Sequence, residues 1–468
     1  MLSIIDQGYA ANCQGLVRRE FLRIGSLGLG GLTLPGLLAA RARANSSGSS
    51  THKSVVLLFL QGGPTQHETW DPKPSAPVQY RTLVDTIRTA QPGVTFSSYF
   101  PQLARAAGDV AVVRSFASGN GGHTYEAVTT GGNAAQASMS AVYAHLAGTT
   151  NPANGLPANM LVLPEAAQEG LRLGGNFETQ ALPTLTQPGH LGPQYAAFNP
   201  AGGSQLRQSM TLTMPRERFD NRRELLAGLD TLRREIDNHG YLERLDRYQQ
   251  QAFDVITRGI RDVFDLGKED QRVVARYDTS GLFRLEDATR WYDMKRASNL
   301  LGKQMLLARR LCEAGCGFVT VSDCGWDMHA NENSPRNMEG LRWLAPQVDH
   351  AVTAFLEDVK ARGLSDQILL IVTGEMGRTP RLNRNGGRDH WANLTPLLIA
   401  GGGLRMGQVI GRSDSIGDRP TTTPYRPANL FATVMRFLFD VGQLRLRTDI
   451  NRDIKAAMEN PPVIGELF

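Results

Sequence analysis

The stretch "QILLIVTGEMGRTPRLNRNGGRDHW", residues 367–391, decides the fold class. Its opening, Gln367 to Val372, is a continuous apolar run. That is the pattern of a central strand buried on both faces, since a strand with one wet face alternates apolar and polar residues. The run passes directly into a glycine-rich loop carrying Glu375, Arg378, Arg381, Arg388, Asp389 and His390. In an open α/β sheet, ligands bind beyond the carboxyl ends of the strands. A buried strand ending in a loop rich in metal- and anion-binding groups therefore points to an α/β fold with its site at that edge.

Working outward, five further runs have the same form. They are "SVVLLFL" (54–60), "DVAVVRSF" (109–116), "NMLVLP" (159–164), "FVTVSDCGWDMH" (318–329) and "TPLLIAGGG" (395–403). Amphipathic helices are expected over 339–364 and 426–442, and two helical pieces over 127–147, from apolar positions spaced three and four apart. A long charged helical stretch, about 215–314, reads as peripheral helices or an inserted subdomain whose charges form a solvated face. Strands alternating with helices predict an α/β fold with a mostly parallel central sheet and helices on both faces. The runs beginning at Val55, Val110, Phe318, Ile368 and Pro396 are expected in one sheet, with their C-terminal loops along a common edge.

The chain has 468 residues and a formal charge of +5. Residues 1–44 hold five arginines (18, 19, 23, 41 and 43) against Asp6 and Glu20, so the remainder carries only +2. That excess is too small to argue for nucleic-acid binding. Arg18-Arg19 stands before Phe21-Leu22, a mildly apolar Gly-rich stretch follows, and Ala42-Arg43-Ala44 closes it. The segment resembles a twin-arginine export signal over residues 1–44, departing from it at Val17, where Ser or Thr is usual. Residues 45–53 read as a polar linker and 54–468 as the folded domain. The resemblance implies a periplasmic or extracellular protein with no stable membrane span once the signal is removed; the competing reading is a cytoplasmic amphipathic helix. Of the four cysteines, Cys13 leaves with the signal, and the odd number remaining argues against a disulfide framework.

Four segments would meet at the strand ends. The first is Gln61-Gly62-Gly63-Pro64 with His67 and Asp71; the second is Asn120, His123, Thr124 and Glu126. The third is Asp323, Asp327 and His329, and the fourth is Glu375, Arg378, Asp389 and His390. Carboxylates and imidazoles in this mixture suit a divalent ion such as zinc, manganese or calcium. Each residue also has a plainer role open to it. Asp389 and Asp71 are helix-cap types, His67 and His123 suit turns, and Glu375 and Arg378 suit a pair that braces the loop.

The segments "RREFLR", "LFLQGGPTQHETWDPKP", "HTYEAVTTG", "GWDMH", "GEMGRTP", "GRDHW" and "LLIAGGG" together resemble a large family of exported bacterial proteins of unknown function. That family is placed in the alkaline phosphatase–sulfatase superfamily. The resemblance covers nearly the whole chain. It implies an alkaline-phosphatase-like three-layer sandwich with a helical insertion, metals at the strand C-termini, and activity on phosphate or sulfate esters. Carried over residue by residue, Asp327 and His329 match a mid-chain ligand pair and His390 a late ligand. Glu375-Met376 stands where Asp-His is usual, and Gln61-Gly62 where an Asp follows the first strand, which leaves His67 or Asp71 as its replacement. Thr130-Gly131 in register with the sulfatase "TG" pair puts Gly121 at the nucleophile position, with His123 and Thr124 nearby.

The metal set expected from this reading is Asp327, His329, Glu375, His390, Asp389 and His67, and the catalytic set is Thr124, His123 and Arg378. Three functions follow: a metal-dependent hydrolase of phosphate or sulfate esters, acting on an anionic ester or a sulfated or phosphorylated glycan; a catalytically degenerate relative that binds anionic glycans or a partner protein; or a structural envelope protein without metal. Replacing Arg18 and Arg19 with lysine should trap the precursor inside the cell. Immunoblotting of cell fractions checks this, and processed protein still appearing outside the cytoplasm would refute the address.

Overall fold

Strand β1 (Ser54–Leu60) is buried at every residue, and its side chains alternate between two cores. Val55, Leu57 and Phe59 join one apolar cluster, while Val56, Leu58 and Leu60 join the other. This is what a continuous apolar strand requires, because successive side chains point to opposite faces and both faces must be covered. The computed structural model describes residues 53–168, 170–201 and 261–468. The expected export signal, the linker up to residue 52, and residues 202–260 of the expected helical stretch lie outside the described residues.

The other strands are β2 (Thr86–Arg88), β3 (Thr95–Ser97), β4 (Val110–Val113), β5 (Asn159–Val162), β6 (Phe318–Asp323), β7 (Ile368–Thr373), β8 (Gly377–Arg378), β9 (His390–Trp391), β10 (Leu397–Gly401) and β11 (Gln408–Ile410). Seven form the central sheet in the order β11-β4-β10-β7-β1-β6-β5. β1 lies parallel between β6 and β7, β5 is parallel to β6, and β11 is parallel to β4. Their register brings the ends level: Leu60 lies opposite Asp323, and Phe59 opposite Thr373. The loops starting at Gln61, Cys324 and Gly374 therefore leave the sheet side by side.

One expectation needs correction. β10 is antiparallel to both β7 and β4, so its glycine-rich C-terminal loop falls at the opposite edge. Gly402 there donates to the carbonyls of Ser365 (2.7 Å) and Ile368 (3.0 Å). The reason is connectivity. Parallel neighbours need a crossover, usually a helix. No helix lies between β7 and β10, so the chain returns antiparallel. It is the N-terminal side of β10, following "RDHWANLTP", that faces the shared edge.

Helices cover both faces. The face carrying Val56 and Leu58 packs on α2 (Leu301–Glu313) and α3 (Leu341–Ala361); the face carrying Leu57 and Phe59 packs on α1 (Met139–Ala147), α4 (Pro427–Leu438) and α5 (Arg452–Glu459). The fold is thus a three-layer α/β sandwich with a mostly parallel sheet. Residues 301–313, which the sequence placed in the helical stretch of 215–314, belong to a covering layer. Among the described residues, no helix is long and apolar enough to cross a membrane.

Asp323 closes β6 fully buried, accepting a hydrogen bond from Trp326 Nε1 at 2.8 Å. Burial raises its carboxyl pKa to about 7, against about 3.9 in an unfolded chain. Between those values the folded state binds more protons than the unfolded state, so Asp323 makes stability fall as pH rises through that interval. Urea unfolding should show a smaller loss of stability from about pH 4 to about pH 7 in Asp323→Asn than in the native protein. An identical pH dependence in both proteins would contradict the assignment.

Candidate metal centre

The short ladder of β8 with β9 sets Arg378 opposite His390. Residues directly opposite in an antiparallel pair share one face, and here both side chains reach the carboxylate of Asp327. Asp327 and His329 come from the loop after β6, and His123 from the loop after β4. His329 Nε2 lies 3.0 Å and His390 Nε2 3.3 Å from Asp327 Oδ1, while His123 Nε2 lies 3.5 Å from Oδ2. The Nε2 atoms of His329 and His390 are 2.9 Å apart. The rings of His123 and His390 meet edge to face at 4.6 Å, so loops from three strand ends share one site.

Each imidazole is held from behind at its other nitrogen. His123 Nδ1 meets Glu375 Oε1 at 2.9 Å, His329 Nδ1 meets Asp389 Oδ1 at 2.9 Å, and His390 Nδ1 meets the Gly121 carbonyl at 3.1 Å. An acceptor behind Nδ1 fixes the ring and turns Nε2 forward, which is how metal-ligating histidines are oriented; without an ion, the forward edge carries protons shared with Asp327. The imidazoles are 19–25% exposed and Asp327 6%, so partly exposed rings cover a buried carboxylate. Phe177 packs against the His123 ring at 4.2 Å, tilted by 35°.

The donors fit an ion. Ligand atoms of His123, Asp327 and His390 lie within 4.8 Å of one another. Donors at about 2.0–2.1 Å round a tetrahedral ion are separated by about 3.3 Å, close to the distances of the imidazoles from Asp327; His329 lies beside this three-residue group, against His390. The electrostatics agree. Burial pushes the Asp327 carboxyl up, but the Arg378 guanidinium beside it and the hydrogen-bonded imidazoles hold it well below the usual range. Burial lowers the pKa of His123, but its hydrogen bonds to Asp327 and Glu375 outweigh this and raise it to about 9. A proton there does what a metal cation would otherwise do.

Two buried arginines build the frame. Arg378 Nε donates to Gly63 O (2.8 Å) and Nη1 to Arg388 O (3.1 Å); Nη2 contacts Gly62 O and Asp327 Oδ1 closely and Trp326 O at 3.5 Å. Gln66 clamps its backbone, accepting from Arg378 N (3.0 Å) and donating to Arg378 O (2.7 Å). Arg388 forms a two-pronged pair with Glu68, at 3.1 and 3.0 Å, with both side chains almost fully buried. That pair pins the 377–391 hairpin to the loop after β1. Close approach requires glycine at two points. A Cβ on Gly62 (φ +107°) would lie 2.4 Å from Asp327 N, and one on Gly387 would lie 2.1 Å from the His329 carbonyl.

The structure sorts the residues expected from sequence. Asp327, His329, His390 and His123 converge. Glu375 and Asp389 stand one step back: Glu375 Oε1 is taken by His123 Nδ1 and by Gly62 N (2.9 Å), and Asp389 braces His329. His67, expected as a ligand, is elsewhere. It is fully buried, its Nε2 bonds the Ile416 carbonyl at 2.8 Å, and burial, with Arg388 nearby, lowers its pKa to about 4. Asp71 is likewise engaged with Lys73 (2.8 Å) and Arg114 (3.2 Å). Arg378, expected to stabilise a transferred anion, is fully buried and bonded to carbonyls and Asp327, so it faces the protein rather than a substrate. Thr124 is exposed, and its side chain makes no hydrogen bond to Asp327 or the three histidines. Sequence reasoning did not single out Phe177, Glu68, Gln66 or Asn383, whose Nδ2 ties the His329 carbonyl (2.8 Å) to Asp389 (3.3 Å). The Asn-Gly-rich run before Arg388 was the available signal for Asn383. Phe177 carried none.

Removing one partner of a buried ion pair strands the other charge at a cost of about 3–5 kcal/mol. Glu68→Ala should destabilise the protein by that order in denaturant unfolding. A loss below about 1 kcal/mol, the range of exposed pairs, would mean that Arg388 does not depend on Glu68.

Among solved structures, the chain is similar to the PsFucS1 sulfatase from Pseudoalteromonas sp. at 11% identity, with 91% of this chain and 76% of that chain covered and a TM-score of 0.38. It is also similar to the phosphonate monoester hydrolase SpPMH from Silicibacter pomeroyi (12% identity, 82% and 73% covered, TM-score 0.31). A third is the alkaline phosphatase from the Antarctic bacterium TAB5 (13% identity, 82% and 97% covered, TM-score 0.29). No curated protein matches the sequence. The family described as "Protein of unknown function (DUF1501)" matches residues 52–457. With the strands of the central sheet and the residues of the candidate metal centre inside that match, the chain belongs to the DUF1501 family.

Proposed function

We propose that this protein is an exported metal-dependent hydrolase of phosphate or sulfate esters, with one divalent ion held by His123, Asp327, His329 and His390. The observation that carries the reading is the convergence of three imidazole Nε2 atoms on one buried carboxylate, each ring held from behind by its own acceptor. A bound divalent ion supplies a Lewis acid for an ester oxygen and lowers the pKa of water. The chain's own residues do the rest. Asp327 contributes the anionic donor, Glu375 and Asp389 hold two rings in place, and the partial exposure of the imidazoles leaves room for a ligand from solvent. Imidazole nitrogens beside one carboxylate favour zinc or manganese over calcium, which takes oxygen ligands. An anionic ester, including a sulfated or phosphorylated glycan, is the substrate class that a cationic centre attracts. Export through the twin-arginine route to the periplasm or beyond belongs to this proposal and rests on the Arg18-Arg19 segment.

One observation favours a second reading, binding of an anionic glycan or partner protein without turnover. No hydroxyl side chain is bonded into the cluster among the described residues, and Gly121, at the position carried over for a nucleophile, offers only its carbonyl, to His390. Metal analysis of the purified mature protein, with aryl phosphates and aryl sulfates as substrates, separates the two. The hydrolase reading expects about one equivalent of metal and turnover. His390→Ala should lose both, and Glu375→Gln should weaken metal binding by about 10–100-fold. Metal without turnover selects the second reading. Full metal occupancy in His390→Ala would overturn the centre itself.

A further inference from the structure

Arg378 occupies an unusual position. Its guanidinium lies among five oxygens, the carbonyls of Gly62, Gly63, Trp326 and Arg388 and Asp327 Oδ1, with His329 Nε2 at the edge of the set, 3.5 Å from Nη1. Among the described residues no other group donates to the carbonyls of Gly62, Gly63 or Arg388. The side chain is fully buried. Backbone carbonyls gathered round a carboxylate, with no other donor, are the donor set proteins use for hard cations, which take six to eight oxygens with water completing the shell. Left empty, such a cage would hold several buried acceptors without partners, and each costs free energy.

We propose that Arg378 is the resident cation of the centre. Its guanidinium fills an oxygen cage that would otherwise take a hard divalent cation such as Ca²⁺ or Mg²⁺. It thereby limits the centre to one exchangeable ion, held on the imidazole side of Asp327. This inference rests on the metal-centre reading for the exchangeable ion but not for the cage. Two consequences follow from the geometry. First, Asp327 keeps a permanent counter-charge, so the site survives loss of the exchangeable metal. Second, the guanidinium is held mainly by oxygens, with His329 Nε2 3.5 Å from Nη1, and it shares Asp327 Oδ1 with His329 and His390, while His123 alone meets Oδ2. A guanidinium suits this cage because its planar fork donates to several acceptors at once, whereas the ammonium of lysine is a point charge that retains charge without the fork.

The test uses the mature chain stripped of metal by chelator, in the native form and as Arg378→Ala and Arg378→Lys. Melting temperature and calcium content are measured as Ca²⁺ or Mg²⁺ is added. Arg378→Ala should melt lower than the native protein, bind about one equivalent of Ca²⁺, and recover a few degrees in a concentration-dependent way, as a ligand specific to the folded state requires. The native protein and Arg378→Lys should not respond. A folded Arg378→Ala protein indifferent to both ions overturns the proposal, because a purely structural arginine would leave a damaged site with no cation response. If Arg378→Ala does not fold alone, it is refolded with Ca²⁺ or with K⁺. Recovery only with Ca²⁺ supports the proposal, and failure in both overturns it. Zinc or manganese binding by the native protein is scored separately. Its absence would refute the metal centre while leaving the calcium response of Arg378→Ala to decide the role of Arg378.

Discussion

A carboxylate taken out of water must be matched by positive charge or hydrogen-bond donors, and the site around Asp327 is organised by that constraint. Arg378 meets one oxygen from within the protein, and three imidazoles meet the carboxylate from the open side. The loops after β1, β4, β6 and β7 are each bent to serve this arrangement. Gly62 turns sharply so that its carbonyl reaches Arg378 while its amide reaches Glu375. The β8–β9 ladder exists over only two residues, yet it places Arg378 and His390 on the same face.

The division of labour among charged groups is clear from burial. Arg378 and Arg388 are spent inside the protein, one on Asp327 and backbone carbonyls, the other on Glu68. The partly exposed groups are His123, His329, His390 and Asp389. Loop rigidity is therefore supplied by arginines, and the imidazoles are left partly open to solvent. This explains how a glycine-rich loop holds so many ionisable side chains without collapsing: about half of them are fasteners.

Much of this was legible in the sequence. Six apolar runs gave six strands of the central sheet, and the long helix at Leu341–Ala361 follows from its three-and-four spacing. The residues that meet at the centre all lie in loops marked by polar groups after an apolar run. Their roles were less legible. His67 and His390 both follow glycine-rich turns, but one is sealed against the Ile416 carbonyl and the other faces Asp327. Glu375 was expected as a ligand and stands behind His123. Nothing in local sequence distinguishes a carboxylate that would touch a metal from one that touches the back of a ring.

The sequence by itself determined six of the seven strands of the central sheet, that β1 and β7 are buried on both faces, and which loops carry the polar groups that gather at the strand ends. These follow from local periodicity and from composition, which a single strand or helix expresses on its own. Only the tertiary structure decided the antiparallel direction of β10, the burial of Arg378 and Arg388, and the choice of His123 over His67. Those depend on contacts between residues hundreds of positions apart, such as Glu68 with Arg388 and Gly62 with Glu375. Burial there sets both charge state and partner, and burial belongs to the packed chain.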